Sequence, residues 1–438
     1  MPTLRPFRAL RYDPAVVGDL GSVISPPYDV ISPALQAELA GRHARNSVLL
    51  DLPPARPDDG PDDRYRRAAA TFVAWRTDGT LRKDLAPSLY LYEQTYRLPG
   101  SSVERVQRGF FARLTLEPFG PGSGVLPHER TLGGPRTDRL ALLVATGANF
   151  SPVVGLYGSP AGESMPIIDA LVAAPPDADV VDDDAVRHRM WVVPAGKRGD
   201  GGSVDRLIAL AEAGPIVIAD GHHRYTTALE YRGQRGVRRA CTEDPPYETI
   251  FTLLFDLTGT EMTILPTHRV VAGEPTGKAL LTELDRWFEI EALPSAEALA
   301  AAFEATPDTM GEGSSARIGL WSGGSAAVLR QRPAALDAAL ATASPATRDL
   351  AVSVLEAMLL VVYGFDRPAI ASGERLTYVK GARAAIDAAN GIASTFLLDP
   401  TSAADVVRVA RAGELMPQKS TYFSPKPATG LLFAPGEW

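Results

Sequence analysis

The apolar period switches twice between residues 204 and 231. "VDRLIALAEAG" (204–214) carries apolar residues at three- and four-residue spacing and closes on Gly214, which predicts a helix. "PIVIA" (215–219) is a β-branched apolar run and predicts a short buried strand. "DGHHRYTTALEY" (220–231) returns to helical spacing near His223, with Tyr225, Ala228 and Leu229 apolar and Gly233 as the expected stop. The pattern is strand, Asp-Gly turn, helix, and two adjacent histidines stand at the join.

The same periods organise the rest of the chain. "SVISPPYDVISP" (22–33) is turn-rich, and a helical pattern follows from Pro33 to His43. "ARPDDGPDDR" (55–64) reads as a surface loop, and "RYRRAAATFVAWRTDG" (64–79) as an amphipathic helix ended by Asp-Gly. "SLYLYEQTYRL" (88–98) and "SVERVQRGFFARLTL" (102–116) flank "PGS" and predict a hairpin. Residues 121–139 form a long polar, glycine-rich connection, followed by a helix at 137–147; such loops tend to be functional or disordered. Residues 174–201 mix loop and strand. After about residue 275, strand runs such as "ARIGLW" and "STFLLD" alternate with helical ones such as "AADVVRVARAG". The expected class is therefore α/β or α+β, with regions 1–275 and 276–438 and a last segment, 413–433, packing back on the site.

Composition narrows the function classes. Hydrophobic residues make up 45% and charged residues 22% of the 438, as in soluble globular proteins. There is no apolar run long enough to span a bilayer, and "MPTLRPFRALRYDP" lacks an apolar signal core, so a cytoplasmic location is the expectation. Cys241 is the single cysteine, which excludes an internal disulfide and a cysteine-based zinc site. A net charge of −8 argues against a nucleic-acid partner, which ordinarily meets a basic face. A homodimer is carried as an expectation.

Four segments carry candidate chemistry. In the first, a strand and tight turn deliver Asp220, Gly221, His222, His223 and Arg224 to a helix start. Free N–H groups and the positive dipole end make such a start an anion site. Arg224 can grip phosphate with two arms, and the histidines can donate hydrogen bonds or balance charge. Asp220 can cap the helix or reach a metal bound to phosphate; a bland reading leaves it a cap beside surface histidines. Dedicated zinc needs three or four ligands, and no further partner motif appears. The second segment is "SPPYDVIS" (25–32), where Asp29 is either a turn residue or a carboxylate presented to a pocket as general base or metal ligand. The third is "LPHERTLGGPRTDRL" (126–140), which crowds His128, Glu129, Arg130, Arg136, Asp138 and Arg139 into one loop able to bind phosphate and move protons. Its alternative is a solvated loop of mutual ion pairs. The fourth is "GELMPQKSTYFSPKPATGLLF" (413–433), where Lys419, Ser420, Thr421 and Lys426 suit an anionic ligand or a strand packed on the core. "LPTHRVV" (265–271) adds His268 and Arg269.

Together, "PPYDVIS", "HERT…DRL", "ADGHHRYTTAL", "PTHRVV" and "MPQKSTYFSPKPATGLL" resemble the bacterial and archaeal domain-of-unknown-function family 1015 over nearly the whole chain. "DGHHR" (220–224) also resembles the phosphate-binding motif of the ParB-like/sulfiredoxin-like fold, whose members include free serine kinases. That resemblance implies a ParB-like mixed core with large insertions and an additional C-terminal α/β region. It implies that Asp220, Gly221, His222, His223 and Arg224 contact nucleotide phosphates and magnesium, with Asp220 as the metal ligand and Mg2+ with ATP or ADP as cofactor. An upstream carboxylate, Asp29 or Glu129, would then serve as general base. Sulfiredoxin chemistry is set aside, since no cysteine lies at the loop. The candidate catalytic side chains are Asp29, His128, Glu129, Asp220 and His222. Arg136, His268, Lys419, Ser420 and Lys426 join residues 220–224 as candidate phosphate or nucleotide contacts. The expected function is a nucleotide-dependent phosphotransferase acting on a small hydroxylated metabolite. The alternatives are a non-enzymatic nucleotide-binding protein and a phosphatase for a small phosphoester such as phosphoserine.

Overall fold

The hairpin read from residues 88–116 lies inside a nine-stranded mixed sheet. Its strands are β1 (Leu4–Arg5), β2 (Ser88–Arg97), β3 (Glu104–Thr115), β4 (Val125–Leu126), β5 (Val153–Tyr157), β6 (Ala178–Val181), β7 (Arg187–Pro194), β8 (Ile216–Asp220) and β9 (Thr249–Asp256). They run in the order β4-β8-β5-β9-β3-β2-β7-β6, with β1 also paired to β3. Only β4/β8 and β5/β9 are parallel. Nearly every residue of β2, and all of β5 and β9, is buried, so the sheet is covered on both faces. The structure is a computed structural model and describes residues 1–130, 134–196, 199, 201–235, 245–259, 262–304, 317–332, 336, 338, 340, 343–366, 369–370, 373–390 and 393–436.

Contacts divide the chain into two compact units. Unit 1 comprises Met1–Pro127, Leu132–Met262 and Pro425–Trp438, and unit 2 comprises His128–Thr131 and Thr263–Ser424. The change of unit thus falls at 262/263, against the 275/276 read from texture, and residues from Pro425 onward rejoin unit 1.

In unit 1 the helices are α1 (Pro33–Arg42), α2 (Asp63–Thr77), α3 (Gly134–Thr146), α4 (Ser164–Val172), α5 (Ser203–Glu212) and α6 (His222–Arg235). Leu207 and Ala211 of α5 and Tyr225 and Ala228 of α6 pack with Ile216, Ile218, Phe110 and Leu254 in one apolar core. Burying each of the leucine, isoleucine and phenylalanine side chains among them stabilises the fold by roughly 1.5–3 kcal/mol. The expected stop at Gly233 does not occur: α6 continues to Arg235. Arg235 folds back one turn and donates Nε–H to the Tyr231 hydroxyl at 3.0 Å, which holds the last turn over the glycine.

Unit 2 holds a six-stranded antiparallel sheet of β10 (His268–Ala272), β11 (Phe288–Leu293), β12 (Arg317–Ser322), β13 (Ser325–Gln331), β14 (Leu376–Val379) and β15 (Ala393–Leu398). The order is β11-β13-β12-β15-β10-β14. Helices α7 (Ala296–Phe303) and α8 (Ala382–Ala388) press Leu299, Phe303 and Ile386 onto Val328 and Leu397. Among the described residues, no helix is long and apolar enough to cross a membrane. The protein is of the mixed α/β class, with a large mixed sheet and a further C-terminal α/β region.

Candidate functional site

β8 leaves the sheet at Asp220, and Gly221 turns the chain into α6 with φ of +85°. Glycine is required there for two reasons. A side chain rarely adopts that φ, and a Cβ would stand 2.9 Å from Arg224 Nε. The bare turn lets the Arg224 side chain lie back across it.

Asp220 is the hub of unit 1's polar cluster. Its Oδ2 accepts Arg224 Nη2–H at 2.7 Å, and its Oδ1 accepts Lys426 Nζ–H at 2.7 Å. The side chains of Asp220, Arg224 and Lys426 are only 16%, 9% and 8% exposed. Burial alone would raise the Asp220 carboxyl. The Lys426 ammonium and the Arg224 guanidinium, with His222 beyond, outweigh that and hold it well below the usual carboxylate range. Arg224 also donates to the Pro152 carbonyl, so its plane is fixed from two sides. His222 is buried and His223 half-buried on the first turn of α6, where the helix N–H groups lack intrahelical partners.

A second group of side chains adjoins Arg224. Tyr28, on a 3-10 turn at Tyr28–Val30, lies with its ring centroid 3.9 Å from the Arg139 guanidinium and 5.9 Å from that of Arg224. Burial pushes the Tyr28 phenol up to about 12, against the pull of Arg224 and Arg139. Asp29, the next residue, is exposed, and its negative charge acts on Arg224, Tyr28 and Asp51. Asp51 ends a single helical turn, Val48–Asp51, and is buried. Burial raises its carboxyl above the ordinary value despite Arg139 and Arg224. Arg139 on α3 donates to the Asp51 carbonyl at 2.6 Å and to Asp138 at 2.8 Å. A cavity of about 40 Å³ is lined by Asp51, Arg139, Ser151, Arg224 and Thr227, among others. Asp51 Oδ2, Arg224 Nε and Thr227 Oγ1 are buried there with no hydrogen-bond partner among the described residues. One water needs roughly 10–15 Å³ of such space, so the cavity is large enough for a few waters.

Unit 2 gathers other sequence candidates. His128 Nε2 lies 2.9 Å from Thr421 Oγ1, and the His128 carbonyl accepts Met416 N–H at 2.8 Å. Glu129 Oε1 accepts the backbone N–H of Lys419 at 3.0 Å. Arg269 donates to the carbonyls of Gln418 and Lys419 at 3.3 and 3.0 Å. The Ser420 hydroxyl donates to the Pro417 carbonyl at 2.5 Å. These bonds clamp the 417–421 turn and hold Lys419 at φ of +56°, a conformation side chains rarely adopt. His268 is buried; burial, reinforced by Arg269, lowers its ring to about 4, and Nδ1 accepts Leu398 N–H at 3.2 Å.

The structure thus brings Asp220, Gly221, His222, His223, Arg224 and Lys426 together in unit 1, with Tyr28 and Asp29 nearby. It places His128, Glu129, His268, Lys419 and Ser420 in unit 2. Arg136 stands on α3 in unit 1, paired with Glu230 of α6 at 2.9 Å. The donor set does not fit a resident magnesium ion at Asp220, because each carboxylate oxygen already faces a cation. No cluster of three His, Cys, Asp or Glu side chains suited to a metal occurs among the described residues. Sequence reasoning missed Tyr28 and Asp51. Tyr28 stands inside "SPPYDVIS" with nothing to single it out, Asp51 carried no motif, and neither residue's partner was visible in one dimension.

Comparison with solved structures returns free serine kinase in complex with AMP, 14% identical, covering 68% of this chain and 83% of that one, at a TM-score of 0.32. It also returns SbnI with C-terminal truncation from Staphylococcus aureus, 12% identical, covering 72% and 86%, at 0.34. A conserved hypothetical protein from Pyrococcus furiosus is 13% identical, covering 69% and 88%, at 0.31. Likenesses at this level say nothing about what the site binds. No curated protein matches the sequence. A family profile described as protein of unknown function, DUF1015, matches residues 4–353, most of the chain, and the protein belongs to that family.

Proposed function

We propose that unit 1 binds the phosphates of a nucleotide at the amino end of α6 and transfers a phosphoryl group to the hydroxyl of a small metabolite. The observation that carries this reading is the half-buried Asp220 carboxylate, which holds Arg224 and Lys426 side by side at the start of a 14-residue helix. Two fixed cations and a set of helix-end N–H groups neutralise phosphate charge without reorganising, which is most of what phosphoryl transfer asks of a protein. His222 and His223 add donors on the same turn.

Asp29 is the carboxylate best suited to the acceptor. It is exposed, so an acceptor reaches it, and its charge already acts on Arg224. Glu129, the other candidate, uses an oxygen on the Lys419 amide within unit 2. In the step, the acceptor O–H gives its proton to Asp29 and its oxygen bonds to the terminal phosphorus. The bond from that phosphorus to the bridging oxygen breaks, and the electron pair leaves on the shortened nucleotide.

The test is nucleotide consumption by the purified protein across a panel of hydroxy amino acids and hydroxy acids. The expected result is consumption that depends on one acceptor class. Tight nucleotide binding without turnover would mean a regulatory binding protein instead. Phosphate release from phosphoserine without nucleotide would mean a phosphatase.

A further inference from the structure

Lys426 is 206 residues from Asp220 in sequence, and the backbone on either side of it is tied to a second buried polar network. Tyr92 and Gln94 point to one face of β2, as residues two apart in a strand must. Cross-strand pairing sets Gln94 opposite Gln107 of β3 and His188 of β7. All four side chains are buried. His188 Nδ1 lies 2.6 Å from the Tyr92 hydroxyl oxygen, and His188 Nε2 lies 2.9 Å from Asp182 Oδ2. The Tyr92 hydroxyl also accepts Ala428 N–H at 3.1 Å. Beside it, Gln107 Nε2–H donates to Gln94 Oε1 at 2.6 Å, and Gln94 Nε2–H donates to the Lys426 carbonyl at 3.0 Å. Between those two anchored groups lies Pro427, whose ring fixes its own φ.

In one arrangement of the hydrogens in the first chain every donor meets an acceptor. Ala428 N–H can only donate, so the Tyr92 oxygen accepts it and the phenol hydrogen turns to His188 Nδ1. The ring hydrogen then sits on Nε2 and points at Asp182. Burial raises the Tyr92 phenol far above its ordinary value, so it remains a donor.

We propose that Tyr92, His188, Asp182 and Gln94 are positioning residues that fix the Lys426 backbone and so aim its ammonium at Asp220. The inference rests on the reading above for what Lys426 serves, but the anchoring itself does not. A flexible lysine chain loses precision unless its root is held, and preorganised cations act more strongly on a developing charge. A buried row of polar groups is costly where apolar side chains would pack, which points to a task beyond stability.

Asp182→Asn tests the relay from its outer end. Asp182 Oδ1 already accepts the amides of Asp184 and Val186, so an asparagine keeps its oxygen there and turns its NH2 toward the ring. The ring hydrogen must then move to Nδ1 and face the Tyr92 oxygen, which leaves the phenol hydrogen without its acceptor. Hydrogen exchange of the 425–429 segment should rise, and nucleotide affinity should fall, each by about tenfold, the worth of one buried hydrogen bond. Tyr92→Phe should do the same, and nitrogen NMR of wild type should show the Nε2–H form of His188. Wild-type exchange at 425–429 in both variants overturns the proposal. If wild type binds no nucleotide, the functional reading fails while exchange still tests the relay. If Lys426→Met loses nucleotide and Tyr92→Phe keeps both affinity and exchange, the relay fails while the functional reading stands.

Discussion

Replacing Lys426 with methionine removes one of the two cations on Asp220 while keeping most of the side chain's volume. At 2.7 Å, an attraction of 332/(20 × 2.7) amounts to about 6 kcal/mol with an effective dielectric constant of 20. Desolvating the ammonium offsets part of that, and Arg224 stays on the other carboxylate oxygen. The expected net loss is about 3 kcal/mol, the lower end for breaking a buried pair. In a unit of this size it corresponds to a fall of roughly 5 °C in Tm. Asp220→Asn alone leaves both Arg224 and Lys426 without a carboxylate, whereas in the double variant only Arg224 lacks one, so the two losses should fall short of adding up. The coupling between the two substitutions should therefore reach about 2 kcal/mol. The pH dependence has a definite sign. The Asp220 carboxyl is held below its unfolded value near 3.8, so the pair's contribution is present above that value and fades as pH falls below it. In Lys426→Met the carboxyl relaxes upward and takes a proton sooner, so the gap between variant and wild type should narrow toward acid pH. Calorimetric melts of the four proteins at neutral and acid pH read both quantities. A coupling within about 0.5 kcal/mol of zero, or a gap that widens in acid, would refute the reasoning.

Gly221→Ala should cost about 1–2 kcal/mol for the left-handed backbone, and the new Cβ should push Arg224 off its line and weaken nucleotide binding in calorimetry. Asp29→Asn should lower turnover by about a hundredfold or more while leaving nucleotide affinity near wild type; equal losses in both would remove Asp29 from the base role. His268 should make unit 2 acid-sensitive. Its ring titrates at about 4 when folded against 6.5 when unfolded, so its contribution is complete above 6.5 and is lost on falling from there to 4. The full loss is about 3 kcal/mol, and a pH series of melts for wild type and His268→Gln should show the slope only in wild type.

Periodicity made the strand–turn–helix at 216–235 legible, because a β-branched run and an i, i+3, i+4 pattern are each set by local geometry. Lys426 was legible as a lysine for an anion. Its partner was not, because the ion pair spans two of unit 1's three chain segments. Gly233 misled because glycine in a helix costs only roughly 1 kcal/mol, which the packing of Tyr225, Ala228 and Tyr231 on the apolar face of α6 outweighs. His188 carried no sequence signal at all. A histidine within "RHRMWVVP" looks like one polar residue in a strand, and only the register of β7 against β2 sets it beside Tyr92.

Unit 1's three-part chain has a consequence for the order of folding. Closing a loop of 206 residues costs entropy that grows with the logarithm of its length, and contacts so remote in sequence form slowly. Residues 263–424, which form a sheet of their own, lie between Asp220 and Lys426 in the chain. Until Lys426 arrives, a half-folded unit 1 holds Asp220 with one cation where the finished fold has two. The Asp220–Lys426 pair should therefore form late in folding, together with the other contacts that the 425–436 segment makes with unit 1.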